Sequence, residues 1–148
     1  MNISDILRHK SADKRADDGA VVTTAPDETV TVLLAALAEH NVGALVVCQD
    51  DKVVGIVSER DVVRRIAERG PEVLDATVEQ IMSTTVVSCS SKDSVDSIAA
   101  TMTERRIRHM PVIDEGRLIG IVSIGDVVSS RIRQLEIDRG QLEQYIAG

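Results

Sequence analysis

The chain has 148 residues, 43% of them hydrophobic and 28% charged, which is the balance of an ordinary globular domain. Its formal net charge of −7 works against nonspecific nucleic-acid binding, and one Tyr with no Phe or Trp leaves no platform on which single-stranded bases could stack. No apolar run approaches a membrane span, and an N-terminus that already carries Asp5 lacks a signal-peptide core, so a cytoplasmic protein with neither nucleic acid nor membrane as partner is expected.

Residues 1–9 read as a short helix with Ile3, Ile6 and Leu7 on one side. Ser11 to Gly19 is polar and reads as a loop. Val21-Val-Thr-Thr24 is a short β-like run. Val30, Leu33, Leu34 and Leu37 then recur at helical spacing, with Asp27 or Thr29 able to cap that helix. Val42 to Cys48 and Val53 to Ser58 flank the polar turn Gln49-Asp-Asp-Lys52 and read as a hairpin. A further helix starts after Ser58 and stops at Gly70-Pro71.

The second half repeats this order. Val21 to Val63 aligns without a gap on Val86 to Val128 at an offset of 65, and 13 of the 43 positions are identical. Val86 to Cys89 matches the first strand. Val95, Ile98, Ala99 and Met102 match the first helix, with Ser91 or Asp93 as its expected cap. Met110 to Ile113 and Leu118 to Ser123 form the second hairpin. The helix after Ser123 is expected to break near Asp138-Arg-Gly140. Val78-Glu-Gln-Ile81-Met82 resembles Ile3-Ser-Asp-Ile6-Leu7, but at an offset of 75, so the first half holds an insertion over residues 10–20. Such an insertion reads as a tolerated surface loop.

Each half, about 60 to 70 residues, would bury only a marginal core alone. The expected fold is therefore α/β (α+β): two β-α-β-β-α repeats, related by a pseudo-twofold axis, forming one module. The expected boundaries are 1–70, 71–135 and a helical extension at 136–148. Cys48, in an apolar run, is expected to be a small buried residue, and two cysteines without a histidine pair suggest neither a zinc site nor a disulfide framework.

The densest match is Gly55-Ile-Val-Ser-x-x-Asp61 against Gly120-Ile-Val-Ser-x-x-Asp126. Each Ser-x-x-Asp stands where a strand runs into a helix. Two readings stay open. Ser at the helix start with Asp three residues on is a capping box, contributing about 1 kcal/mol. Alternatively, a helix start attracts phosphate, the Ser hydroxyl can donate to it, and the carboxylate can hold ribose hydroxyls. The copies differ nearby. Copy two brings Arg105, Arg106, Arg108 and His109 to a segment where copy one has only His40. Arg suits phosphate through its fixed fork of donors, although a basic strand edge also discourages edge pairing. Arg60 faces Gly125 in the alignment, and either meets a phosphate or sits exposed on the first turn.

These elements, together with Arg106-Ile-Arg-His-Met-Pro-Val-Ile-Asp114, resemble a tandem cystathionine β-synthase (CBS) domain pair, or Bateman module, over roughly residues 1–135. The resemblance implies a stand-alone regulatory module without catalysis of its own. It implies adenosyl ligands in the cleft between the copies: AMP, ADP, ATP, NAD(H) or S-adenosylmethionine. No cofactor is required. On the same resemblance Asp61 and Asp126 hold ribose hydroxyls, Ser58 and Ser123 sit near phosphate, and the backbone around Val22 and Val87 meets adenine. Flat homodimers through the helices are implied, and a protein target would read the ligand's effect. The apolar C-terminal positions Ile132, Leu135, Ile137, Leu142, Tyr145 and Ile146 suit such a dimer. The rival expectation is a structural interaction module whose Ser-x-x-Asp elements only cap helices.

Overall fold

The computed structural model describes residues 1–13 and 21–147, side chains excepted at 11–13. Most of the insertion expected at 10–20 lies outside the described residues. In chain order the elements are α1 (Ile3–Asp13), β1 (Thr23–Thr24), α2 (Val30–His40), β2 (Ala44–Gln49), β3 (Lys52–Ser58) and α3 (Glu59–Arg69). A 3-10 turn (Pro71–Asp75), α4 (Val78–Ile81), α5 (Val95–Arg105), β4 (His109–Asp114), β5 (Arg117–Ser123) and α6 (Ile124–Ala147) follow. The fold is mixed α+β, and its elements group into two compact units interleaved along the chain. One is Ala20–Val87, and the other joins α1 to everything from Ser88 onward.

In the Ala20–Val87 unit the sheet order is β1-β2-β3. β1 runs parallel to β2, with Thr23 opposite Val46, and β2 pairs antiparallel with β3. The four apolar residues that open β2 are all buried, as expected of a central strand rather than of an alternating edge. The β2–β3 turn places Asp50 and Asp51 at φ 51° and 62°. Two consecutive positive φ values make the type I′ geometry that matches strand twist. The helices lie on this sheet through Val30, Leu33, Leu37, Val62, Val78 and Ile81, all buried with Val47 and Val57.

Helix limits follow from capping. The Thr29 side chain accepts from Val32 N–H at 3.2 Å to open α2. α2 closes on Asn41 at φ 51°, in the left-handed region that Asn tolerates. α5 opens on Ser94, whose hydroxyl accepts from Ser97 N–H at 3.1 Å, not on the expected Ser91 or Asp93. Those two are engaged elsewhere: the Asp93 carboxylate accepts from Ser90 N–H at 2.8 Å, and Ser91 donates through hydroxyl and backbone N–H to Asp114. These bonds, led by the Ser91 hydroxyl, hold the Asp114 carboxyl below its ordinary pKa. Arg105 and Arg106 end α5, Arg106 at φ 55°, where positive charge suits the helix dipole.

The second unit repeats the hairpin and helix order of the first. β4 and β5 pair as β2 and β3 do, and the register irregularity at Val47/Cys48 recurs at Val112/Ile113. The run matching β1 is reduced to one parallel bridge, Cys89 to Val112. α1 serves this unit as α4 serves the other. Val78 N–H donates to Glu28 O at 2.8 Å and Glu79 N–H to Pro26 O at 2.9 Å. Their counterparts are Ile3 N–H to Asp93 O at 3.0 Å and Ser4 N–H to Ser91 O at 2.9 Å. The 75-residue offset of the sequence match thus has a structural cause: both segments strap the start of a repeat's first helix.

α6 runs unbroken through the expected interruption. Gly140 costs a helix about 1 kcal/mol but does not end it. Side-chain pairs Gln134–Asp138 and Arg139–Glu143, each at 3.0 Å, brace the turns around it.

Candidate functional site

Both Ser-x-x-Asp elements lie at strand-to-helix junctions, β3–α3 and β5–α6. At the first, Asp61 Oδ2 accepts from Ser58 N–H at 2.8 Å and from the Ser58 hydroxyl at 3.0 Å, while Ser58 Oγ accepts from Asp61 N–H at 3.2 Å. This is a complete capping box. At the second, Asp126 Oδ2 accepts from Ser123 N–H at 2.8 Å and Ser123 Oγ accepts from Asp126 N–H at 3.1 Å. The capping reading therefore holds at both junctions. It consumes only half of each carboxylate, because Oδ1 of Asp61 and of Asp126 takes no hydrogen bond from a described residue.

The junctions are not equivalent. The Asp126 carboxylate has a second donor, the Lys10 ammonium at 2.9 Å, which also donates to Ile121 O at 2.8 Å. At the first junction the matching carbonyl, Ile56 O, accepts from Ser83 N–H at 2.9 Å instead. Lys10 was not among the residues singled out from the sequence. Its partner lies 116 positions away. The one available signal was the match of Ile3–Leu7 to Val78–Met82, which puts Lys10 in register with Thr85.

Backbone pairing locates the remaining sequence-selected residues. His109 stands directly across from Ser123 in the β4–β5 ladder, and Arg108 O accepts from Ile124 N–H at 2.8 Å. Both therefore adjoin the second junction, Arg108 exposed and His109 half-buried. Ala44 occupies the His109 position opposite Ser58. Arg60 is exposed on the first turn of α3, without a polar partner among the described residues. Val22 precedes Thr23, which places it level with Leu45, whose β3 partner is Val57, the neighbour of Ser58. The Ala20–Val87 unit thus gathers Ser58, Asp61 and Val22 at one end of its strands. Val87, the counterpart of Val22 in the repeat, is the last residue of that unit.

The family model for the CBS domain matches this chain twice, over residues 18–68 and 78–133. The chain belongs to the CBS-domain family. A CBS-domain-containing protein of Agrobacterium tumefaciens is 39% identical and superposes with a TM-score of 0.80, covering 88% of this chain and 99% of that one. The CBS domain pair of protein MJ0100, solved with 5′-methylthioadenosine and S-adenosyl-L-methionine, is 25% identical with a TM-score of 0.74, covering 92% and 98% of the two chains. The mitochondrial CBS-domain-containing protein CBSX3 of Arabidopsis thaliana is 34% identical over 99% of this chain and 72% of its own length.

The two cysteines differ in burial. Cys48, expected to be buried, is half-buried because it follows the β2 irregularity next to the turn, whereas Cys89 is 6% exposed. Burial, then Asp93 and Asp114, push the Cys89 thiol up to about 11 from an ordinary 9.0. The folded state thus holds this proton more tightly than the unfolded chain. The resulting stability is full below pH 9.0 and is lost as pH rises towards 11. In the native protein at neutral pH, Ellman's reagent should titrate one thiol, Cys48, and Cys89 should react only on unfolding. Two equally fast thiols would contradict the burial. Among the described residues no helix is long and apolar enough to cross a membrane, and no three His, Cys, Asp or Glu side chains are grouped to hold a metal.

Proposed function

We propose that this CBS-domain protein is a regulatory sensor that binds an adenine nucleotide (AMP, ADP, ATP or NAD(H)) at its Ser-x-x-Asp junctions and catalyses nothing itself. The observation carrying this reading is the half-used carboxylate, found twice. Each Asp fixes its helix start through Oδ2 and keeps Oδ1 for a ligand donor, and a ribose hydroxyl is such a donor. The adenosyl compounds bound by the MJ0100 domain pair support the ligand class. A protein target would read the bound state, which requires the ligand to favour one arrangement of the protein over another. A thermal-shift screen with AMP, ATP, NADH and S-adenosylmethionine tests the reading. Ligand at 100 times its Kd should add about 2.7 kcal/mol, or several degrees. No shift with any of the four at millimolar concentration would remove the sensor reading.

The completeness of both capping boxes favours a second reading, a purely structural module. Ser58→Ala would then lower stability by about 1 kcal/mol and alter no ligand affinity.

The protein's expected partner in either case is a second copy. Val128, Ile132, Leu135, Leu142 and Ile146 are 50–77% exposed on α6. With Arg139 they follow the alternating four-and-three spacing of a coiled-coil seam. From Arg131 to Ala147 three Arg balance Glu136, Asp138 and Glu143, so this segment is neutral within a chain of −7 and does not repel its own copy. Light scattering should give twice the chain mass, and Leu135→Asp with Leu142→Asp should halve it. A monomeric wild type at tens of micromolar would eliminate the α6 seam.

A further inference from the structure

The two junctions dispose of the same atoms differently, and Lys10 is the cause. In the first repeat the Ser58 hydroxyl gives its proton to Asp61. In the second, Lys10 takes that place on Asp126, and the Ser123 hydroxyl, which accepts from Asp126 N–H, has no acceptor for its own proton among the described residues. The second junction therefore holds an ammonium and an uncommitted hydroxyl at a helix start, next to Arg108 and His109 on the adjoining strand end. The first has neither in those places.

Lys10 is also placed by built structure rather than by a wandering side chain. α1 is anchored by its backbone bonds to Ser91 and Asp93, and Leu7 packs over Gly120 so closely that an added Cβ would stand 2.7 Å from Leu7 Cδ2. One turn further along, Lys10 reaches Ile121 O and Asp126 and keeps its side chain only 29% exposed. An ordinary surface lysine has no reason to be held there. An ion pair at this depth is worth little in stability, about 1 kcal/mol or less. It does set which ligands can compete for the site.

Building on the adenosyl reading above, we propose that Lys10 makes the second repeat select 5′-phosphorylated adenosyl compounds over uncharged or cationic ones. Asp126 alone would repel a phosphate and welcome a sulfonium. With Lys10 beside it the local charge is balanced, so the carboxylate remains an acceptor for ribose while the ammonium and the Ser123 hydroxyl donate to the phosphate. Lysine acts here as a compact point charge with three donors, able to serve Ile121 O, Asp126 and a phosphate oxygen in turn.

The test is calorimetric titration of AMP and adenosine into the full chain carrying Asp61→Asn, which isolates the second repeat. AMP should bind at least about tenfold more tightly than adenosine, as one charge-assisted hydrogen bond allows. Adding Lys10→Gln, which keeps a donor for Ile121 O, should bring the ratio near one, and Lys10→Arg should retain it. An unchanged ratio in Lys10→Gln would overturn the proposal, and a melting temperature below its parent's would then make Lys10 a structural strut. Binding of neither compound by the Asp61→Asn protein, when wild type binds AMP, would also overturn it and leave the sensor reading standing on the first repeat. Failure of wild type to bind either compound would take down both.

Discussion

Asp61→Asn is expected to weaken AMP binding at the first repeat by about 10- to 100-fold, the equivalent of losing one or two hydrogen bonds to a charged group. The substitution separates the two roles of this side chain. Asn retains an oxygen that can accept from Ser58 N–H, the 2.8 Å bond that closes the capping box. Helix α3 should then keep its start, with stability changed by less than about 1 kcal/mol. Asn lacks the charge that makes Oδ1 a strong acceptor for ribose hydroxyls. Calorimetry on Asp61→Asn beside Ser58→Ala therefore reads both roles at once. Ser58→Ala removes a cap and should cost about 1 kcal/mol of stability. An Asp61→Asn protein that binds AMP as tightly as wild type would confine this carboxylate to helix capping. The prediction is stronger at Asp61 than at Asp126, since Lys10 already occupies part of the second carboxylate.

Local chemistry explains how much of this was legible in the chain. The hairpins could be read because their turns carry polar residues able to take positive φ. The helices α2 and α5 could be read because Val30, Leu33 and Leu37, or Val95, Ile98 and Met102, keep helical spacing against a core. The repeat itself made Ser58, Asp61, Ser123 and Asp126 stand out, and register then set His109 beside Ser123. What escaped was non-local. Ser94 rather than Ser91 caps α5 because Asp114, more than 20 residues on, recruits Ser91. The continuation of α6 past Gly140 is the local exception: the i,i+4 pairs Gln134–Asp138 and Arg139–Glu143 stand in the sequence and outweigh one glycine. Lys10 is the clearest case. Its neighbours in sequence are polar and ordinary, and its meaning comes only from α1 pairing with the segment before α5. Cys48 was misjudged for a related reason: an apolar run predicts a buried strand but not the irregularity that turns its last residue outward.

Gly55→Ala should destabilise the protein by about 2–3 kcal/mol, whereas Gly120→Ala should cost less than about 1 kcal/mol, although the two glycines are equivalent in the repeat. A Cβ at Gly55 would lie 2.8 Å from Ser83 O and 2.7 Å from Met82 Sδ. Ser83 O cannot withdraw freely, because it accepts from Ile56 N–H at 3.0 Å and its own N–H donates back to Ile56 O. The added methyl must push two paired backbones apart. At Gly120 the obstacle is the end of the Leu7 side chain, which can change rotamer, with no backbone atom among its close neighbours. Urea unfolding should show a clear drop in midpoint for Gly55→Ala, at constant slope, and a small one for Gly120→Ala. Equal midpoints would mean that the Ser83 segment yields as easily as a leucine tip, and that the strap across β3 is loose. The contrast also reaches the proposed ligand sites. The strap at Ser83 is main chain and rigid, while its counterpart is Leu7 followed one turn later by Lys10, a side chain that can leave Ile121 O for another acceptor. Backbone fills that position in one repeat and a lysine side chain fills it in the other, so a ligand can rearrange only the second without breaking a strand.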